Sequence, residues 1–168
     1  AALITDVYTE KSGLLINVGR VGDTDIGTQT LRNYYVYGDD MDNDGVVELP
    51  YLMRMVSLED VPAAEQRNLI RWYSIKSDGS TVDKLYTYYD SVGGWYLELD
   101  KMLAPRISVR CLRSVYEFYL WNVGYSRAQK LMTVHMLTGQ NREEQSVADG
   151  QFVLLKTDTV IYSATLEN

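Results

Sequence analysis

A chain of 168 residues with 46% apolar and 23% charged side chains has globular proportions and is long enough to bury a core without covalent staples. Its net charge of −7 disfavours nucleic acid and anionic membrane surfaces as partners, because a phosphate backbone repels it; the nearest approach to a basic cluster is Arg106, Arg110 and Arg113. No apolar run reaches the roughly 18 residues of a spanning helix, and the single Cys111 cannot form an internal disulfide.

The chain opens on Ala1, with no initiator Met and no charged stretch followed by an apolar one, which reads as a leader or upstream domain trimmed away. Helical periodicity is nearly absent, whereas short runs rich in Tyr, Val, Ile, Leu and Thr recur between turn signals. Fourteen Tyr against two Phe suit half-buried strands whose hydroxyls meet water. Gly13 to Gly19 (GLLINVG) is a compact apolar run closed by glycines, and Asp23 and Asp25 in VGDTDIG read as loop in preference to a second ion site. Leu31 to Gly38 (LRNYYVYG) predicts a strand leading into an acidic loop, and VVELPYLMRMV leads out of it. The middle of SLEDVPAAEQRNL suits one helical turn.

Three strands then form a meander, LIRWYSI, KLYTYYD and WYLELD, joined at Asp78-Gly79 and at DSVGG, where Asp and Gly tolerate the positive φ of tight turns. RISVRCL, VYEFYLW and KLMTVHMLTG follow, the last with both faces largely apolar, which places it centrally in a sheet. Asn141 to Gly150 (NREEQSVADG) predicts a short helix with Asn141 as N-cap and Gly150 at its end, and a hairpin around Lys156 to Thr159 closes the chain. The fold class expected is α+β, mostly β: one compact domain over residues 1–168, an antiparallel meander with one or two short helices. Its lobes are a β lobe over 1–68 and a sheet with a short helix over 69–168.

Five acids lie between Asp39 and Glu48, in GDDMDNDGVVELP. Charges this close repel one another at neutral pH unless a cation sits among them. Counted from Asp40, positions 1, 3, 5 and 9 are Asp40, Asp42, Asp44 and Glu48, with Gly45 at position 6 and Val46 at position 7. Hard Ca²⁺ takes six to eight oxygens, and carboxylates on alternate residues of a tight turn converge while glycine lets the backbone reverse. An EF-hand requires a bidentate acid at position 12, where this chain has Tyr51, and no helical pattern flanks the loop. The pattern resembles instead the DxDxDGxxD/E loop of FG-GAP and VCBS-type repeats, in which calcium holds a β-hairpin turn. The resemblance covers about fifteen residues and implies a structural Ca²⁺ bound by Asp40, Asp42, Asp44, the Val46 carbonyl and Glu48.

The later part of the chain resembles a group of uncharacterised exported lipoproteins of Gram-positive bacteria, on Gly94-Trp95, Leu137-Thr138-Gly139, Arg142 to Asp149 and Phe152 to Leu166. Such domains are similar in pattern to small PsbP/Mog1-like α+β folds. The resemblance implies a location at the cell envelope, with lipid anchoring through a removed N-terminal segment, and brings no catalytic residue.

Catalytic machinery is hard to assemble from these residues. His135 is the sole histidine and lies in an apolar strand, one His and one Cys do not make a zinc set, and no GxSxG, GxGxxG or P-loop occurs. Cys111, in a strand-like run, reads as a buried inert thiol. Trp72, Trp95 and Trp121 could stack on sugars, but strand positions favour burial. The expectation is a non-catalytic extracytoplasmic binding or adaptor module with a structural calcium, its partner a protein, peptide or glycan at the cell surface; the alternative is an accessory domain of a carbohydrate-active or other hydrolase.

Overall fold

A computed structural model describes residues 2–20, 27–57, 66–121 and 128–167. The protein is mostly β, with antiparallel sheets and, among the described residues, one short α-helix, as the alternating Tyr-rich runs require. Asp23, Asp25, the middle of SLEDVPAAEQRNL and most of NVGYSRAQ lie outside the described residues. Two compact units are present, one of residues 1–54 with 68–104 and the other of 55–67 with 105–168. The division between 1–68 and 69–168 expected from the sequence does not follow the sheets, because the strand beginning at Asn68 pairs on both sides within the first unit.

In the first unit, β1 (Tyr8–Lys11) and β2 (Leu14–Asn17) form a hairpin. β3 (Leu49–Arg54), β4 (Asn68–Ile75), β5 (Thr81–Asp90) and β6 (Trp95–Leu99) form a four-stranded antiparallel meander in that order. The Asp78-Gly79 turn has Gly79 at φ +83°, and its N–H donates to the Lys76 carbonyl at 2.9 Å. Period-2 alternation sorts the side chains of this sheet onto two faces. On one, Ile70, Trp72 and Leu85 are buried together with Val36, and Tyr34, Met41, Leu52 and Tyr89 pack against them. The Trp72 indole N–H donates to Thr87 Oγ1 at 2.9 Å, so the largest core side chain leaves no unpaired donor there.

Leu31 to Gly38 is not the strand expected; only an isolated bridge at Arg32 involves it, and a second at Asp39 follows it. Side chains take over the hydrogen bonds a strand would have made. The buried Arg32 donates from Nε to the Val36 carbonyl at 2.8 Å and from Nη1 to the Thr30 carbonyl and Thr5 Oγ1, both at 3.1 Å. The Tyr34 hydroxyl accepts from Leu52 N–H and donates to the Pro50 carbonyl, standing in for a neighbouring strand on the open edge of β3. Pro50 is tolerated on that edge, where an N–H is not needed for the ladder.

The second unit is a five-stranded antiparallel sheet made of β7 (Ile107–Leu112), β8 (Val115–Leu120), β9 (Gln129–Thr138), β10 (Phe152–Lys156) and β11 (Val160–Leu166), in the order β10-β11-β9-β8-β7. β9 is central, as its two apolar faces predict. Phe118, Val134, Ile161 and Ala164 are its buried centre. α1 (Arg142–Gln145) packs against β9 and β11, and a 3₁₀ turn runs on to Gly150, whose φ is +76°. Asn141 holds the N-cap position without a side-chain capping bond. Of the elements that carried the lipoprotein resemblance, Gly94-Trp95 opens β6 in the first unit, and the other three lie in the second. Cys111 is half-buried rather than buried, with Sγ 3.5 Å from the Arg113 carbonyl.

His135 pairs with Val115 and Ser163 across β9, and desolvation, helped by the Lys130 charge, lowers its pKa from the ordinary imidazole value. A histidine whose folded pKa is depressed contributes stability above its unfolded pKa and loses it as pH falls. A ¹H NMR titration of this sole imidazole is expected to show a midpoint below about 6.5, with stability falling as pH drops past that value and His135→Gln flattening the fall.

Candidate metal centre

The acidic loop is tied off at its base. Asp39 and Glu48 form an antiparallel bridge, Asp39 N–H donating to the Glu48 carbonyl at 3.1 Å and Glu48 N–H to the Asp39 carbonyl at 2.8 Å. Gly38 is required beside it, because a Cβ there would meet the Glu48 carbonyl oxygen at 2.8 Å. Between these posts the backbone reverses through Asn43 at φ +59° and Gly45 at φ +86°, left-handed conformations that Asn and Gly adopt most readily.

Inside the reversal the carboxylates organise the backbone. Asp40 accepts from the N–H of Asp44 on Oδ1 and of Gly45 on Oδ2, both at 3.0 Å, and Asp44 Oδ1 accepts from Val46 N–H at 2.9 Å. Met41, the apolar residue in the acidic run, packs against the Trp72 cluster while its N–H donates to Glu48 Oε2 at 2.9 Å. Burying Met41 fixes the residues on either side of it. Asp40, Asp42 and Glu48 then each bring a carboxylate oxygen to within 4.8 Å of the other two, a cluster that can hold a metal ion. Oxygens bound to one Ca²⁺ at about 2.3–2.6 Å can stand up to about 5 Å apart, so the span fits a shared ion.

Glu48 is the decisive member. It is 0% exposed, and among the described residues nothing hydrogen-bonds its Oε1. Burial raises its pKa above the ordinary carboxylic value; the Met41 N–H opposes this, and the charges of Asp42 and Asp44 add to it. A buried carboxylate oxygen facing other carboxylates, with one backbone donor on its partner oxygen, is destabilising unless a proton or a cation reaches it.

Of the other expected ligands, Asp44 is turned elsewhere. Its Oδ2 is in close contact with Lys84 Nζ, and that hydrogen bond, then the Val46 N–H, lowers its pKa. Lys84 also reaches Asp42 Oδ2 at 3.3 Å. Val46 is exposed, in the arm that returns to the bridge. Three contributors were not singled out from the sequence: Met41, Lys84 and the burial of Glu48. An apolar residue inside an acidic run was the one available hint.

In the same unit, the open edge of β3 forms one side of a cleft of about 170 Å³ lined by Arg32, Asn33, Tyr34, Tyr51 and Tyr73 among others. The Arg71 guanidinium lies 4.8 Å from the Tyr51 ring centre and 5.3 Å from that of Tyr73. The cleft is smaller than the about 300–1,000 Å³ that encloses a whole small molecule. Trp72 and Trp95 are buried and offer no stacking platform, whereas Trp121 is half-buried.

Glu48→Gln retains the shape of the side chain, removes its charge and supplies an amide donor to the neighbouring carboxylates. In EGTA this variant is expected to be more stable than the native chain by about 1–3 kcal/mol, the usual cost of an unsatisfied buried group, as read by chemical denaturation. A native-like or lower stability would show that the buried oxygen is already satisfied. No protein-family profile, curated protein or solved structure matches the chain, so the assignment of this centre rests on its geometry.

Proposed function

We propose that this protein is a non-catalytic binding or adaptor module that works outside the cytoplasm, with its acidic loop held in shape by a structural Ca²⁺. The observation that carries the metal reading is the Glu48 carboxylate, closed off from water with Oε1 unpartnered among the described residues and converging with Asp40 and Asp42. Asp40, Asp42 and Glu48 supply side-chain oxygens. Asp44 and the Val46 carbonyl complete the shell in the manner of the DxDxDGxxE loop, which requires Asp44 to leave Lys84. Calcium is favoured among hard cations because it accepts irregular oxygen shells, whereas Mg²⁺ demands near-ideal octahedral geometry.

A weak calcium site fits a place outside the cytoplasm. A site with a Kd on the order of 10⁻⁴ to 10⁻³ M fills in millimolar extracellular calcium and stays nearly empty in cytosol. The resemblance to exported Gram-positive lipoproteins supports the same location at the cell envelope. For the binding role, Tyr35, Tyr37 and Tyr51 are exposed, and tyrosine offers rigid amphipathic contact area to a peptide or glycan. Of these, Tyr51 lines the small open cleft, which suits one group of an extended ligand more than an enclosed substrate.

Thermal melts in CaCl₂ and in EGTA test the metal. At a tenfold excess of Ca²⁺ over Kd the native chain gains about 1.4 kcal/mol and melts a few degrees higher, while Asp42→Ala shows no such shift. A melting temperature indifferent to calcium in the native chain would remove the ion. For the binding role, peptide and glycan arrays probed in millimolar CaCl₂ are expected to give a hit that Tyr35→Ala or Tyr37→Ala weakens; hydrolysis of an arrayed ligand would instead favour the hydrolase alternative.

A further inference from the structure

Lys84 occupies a β-bulge. In the pairing of β4 with β5, Trp72 stands opposite Leu85 and Tyr73 opposite Asp83, so Lys84 is the extra residue, with no partner across the ladder. A bulge interrupts the alternation of side chains and re-aims the extra one. Here it delivers the ammonium to Asp42 and Asp44, 42 and 40 residues away in sequence. An irregularity in the middle of a meander, placed where its side chain lands on two of the loop's carboxylates, ties the sheet register to the electrostatics of the loop.

Building on the metal reading above, we infer that Lys84 is a tethered counter-cation that competes with the divalent ion for Asp42 and Asp44 and so holds the site at low affinity. The charges support competition over cooperation. Asp39, Asp40, Asp42, Asp44 and Glu48 carry five negative charges, and one ammonium leaves most of them uncompensated, so there is room for a second cation. That second cation shares Asp42 with Lys84, which puts a divalent and a monovalent positive charge on one carboxylate. At the roughly 5 Å such sharing implies, their repulsion is large enough to weaken binding tenfold or more. Asp44 can join the ion only by releasing Lys84. The loop thus has two ways of balancing its charge: an internal ammonium that is always at hand, and an external ion that must bind against its repulsion and so acts only when abundant. This makes the site responsive over the millimolar range instead of permanently filled.

The test uses the full chain. Isothermal titration with CaCl₂ at fixed ionic strength compares the native protein with Lys84→Met and Lys84→Arg. Lys84→Met is expected to bind Ca²⁺ about tenfold tighter or more, and Lys84→Arg, which keeps the charge, to stay within a fewfold of the native Kd. An unchanged or weaker affinity in a folded Lys84→Met overturns the inference, because Lys84 would then be arranging the ligands and not opposing the ion. Should Lys84→Met fail to fold, the native chain answers by itself. The ¹³Cε and ¹⁵Nζ signals of Lys84 must shift during a CaCl₂ titration with the same midpoint as the melting temperature, and signals that stay still overturn the inference. Absence of binding in native and variant alike removes the metal reading, whereas equal binding in both removes only the role of Lys84.

Discussion

A carboxylate shut away from water among other carboxylates is the constraint around which the first unit is arranged. Glu48 immediately precedes β3, its backbone closes the loop against Asp39, and its side chain faces Asp40 and Asp42 from the buried side. An uncompensated charge in such a place is destabilising by several kcal/mol, more than most single contacts contribute. The neighbouring structure reflects this. Met41 N–H satisfies one oxygen, Lys84 draws off the charge of Asp44 and part of that of Asp42, and the remaining imbalance is what a divalent ion would relieve.

The aromatic sheet beneath is what lets so polar a loop keep one shape. Trp72 packs edge-on against Tyr96 at 5.8 Å, and Tyr96 stacks on Tyr89 at 4.9 Å, giving a stiff apolar floor on the face where Met41 is anchored. The chain between Leu31 and Gly38 reaches that floor without forming a strand. Arg32 and Tyr34 place charged and hydroxyl groups on backbone carbonyls and amides that would otherwise be orphaned, a substitution that buried backbone polar groups require. Packing, loop and edge strand are therefore interdependent: losing the Tyr34 hydroxyl removes the partner of the Leu52 N–H and Pro50 carbonyl on the open edge of β3, and losing Met41 unseats the acids beside it.

The second unit follows simpler rules. Phe118, Val134, Ile161 and Ala164 are buried in its five strands, β11 over four consecutive positions and so on both faces, and the short helix packs against β9 and β11. One feature departs from ordinary burial: Phe152, Val153, Leu154 and Leu155 on the edge strand β10 are all exposed, although a bulge between Val153 and Leu155 makes the edge less regular.

The sequence by itself determined the strands from β3 onward, since Tyr, Val and Ile between Gly and Asp turn signals have few other low-energy conformations, and it determined the acidic reversal, since Asp at alternate positions with Gly45 is a local pattern. It placed β9 centrally for the same reason, two apolar faces needing two covers. Tertiary structure alone decided the rest. The strand expected at Leu31 to Gly38 was lost to side-chain hydrogen bonds from Arg32 and Tyr34, whose partners lie up to 27 residues away. The grouping of β4, β5 and β6 with β3 came from pairing, which residue spacing does not encode. Which acids converge, and which one is taken by an ammonium, depended on burying Met41 and on a one-residue bulge that aims Lys84 across some forty residues of chain. Charge spacing along a chain is a local property, whereas the desolvation that gives a charge its energetic weight is set by whatever the fold packs around it.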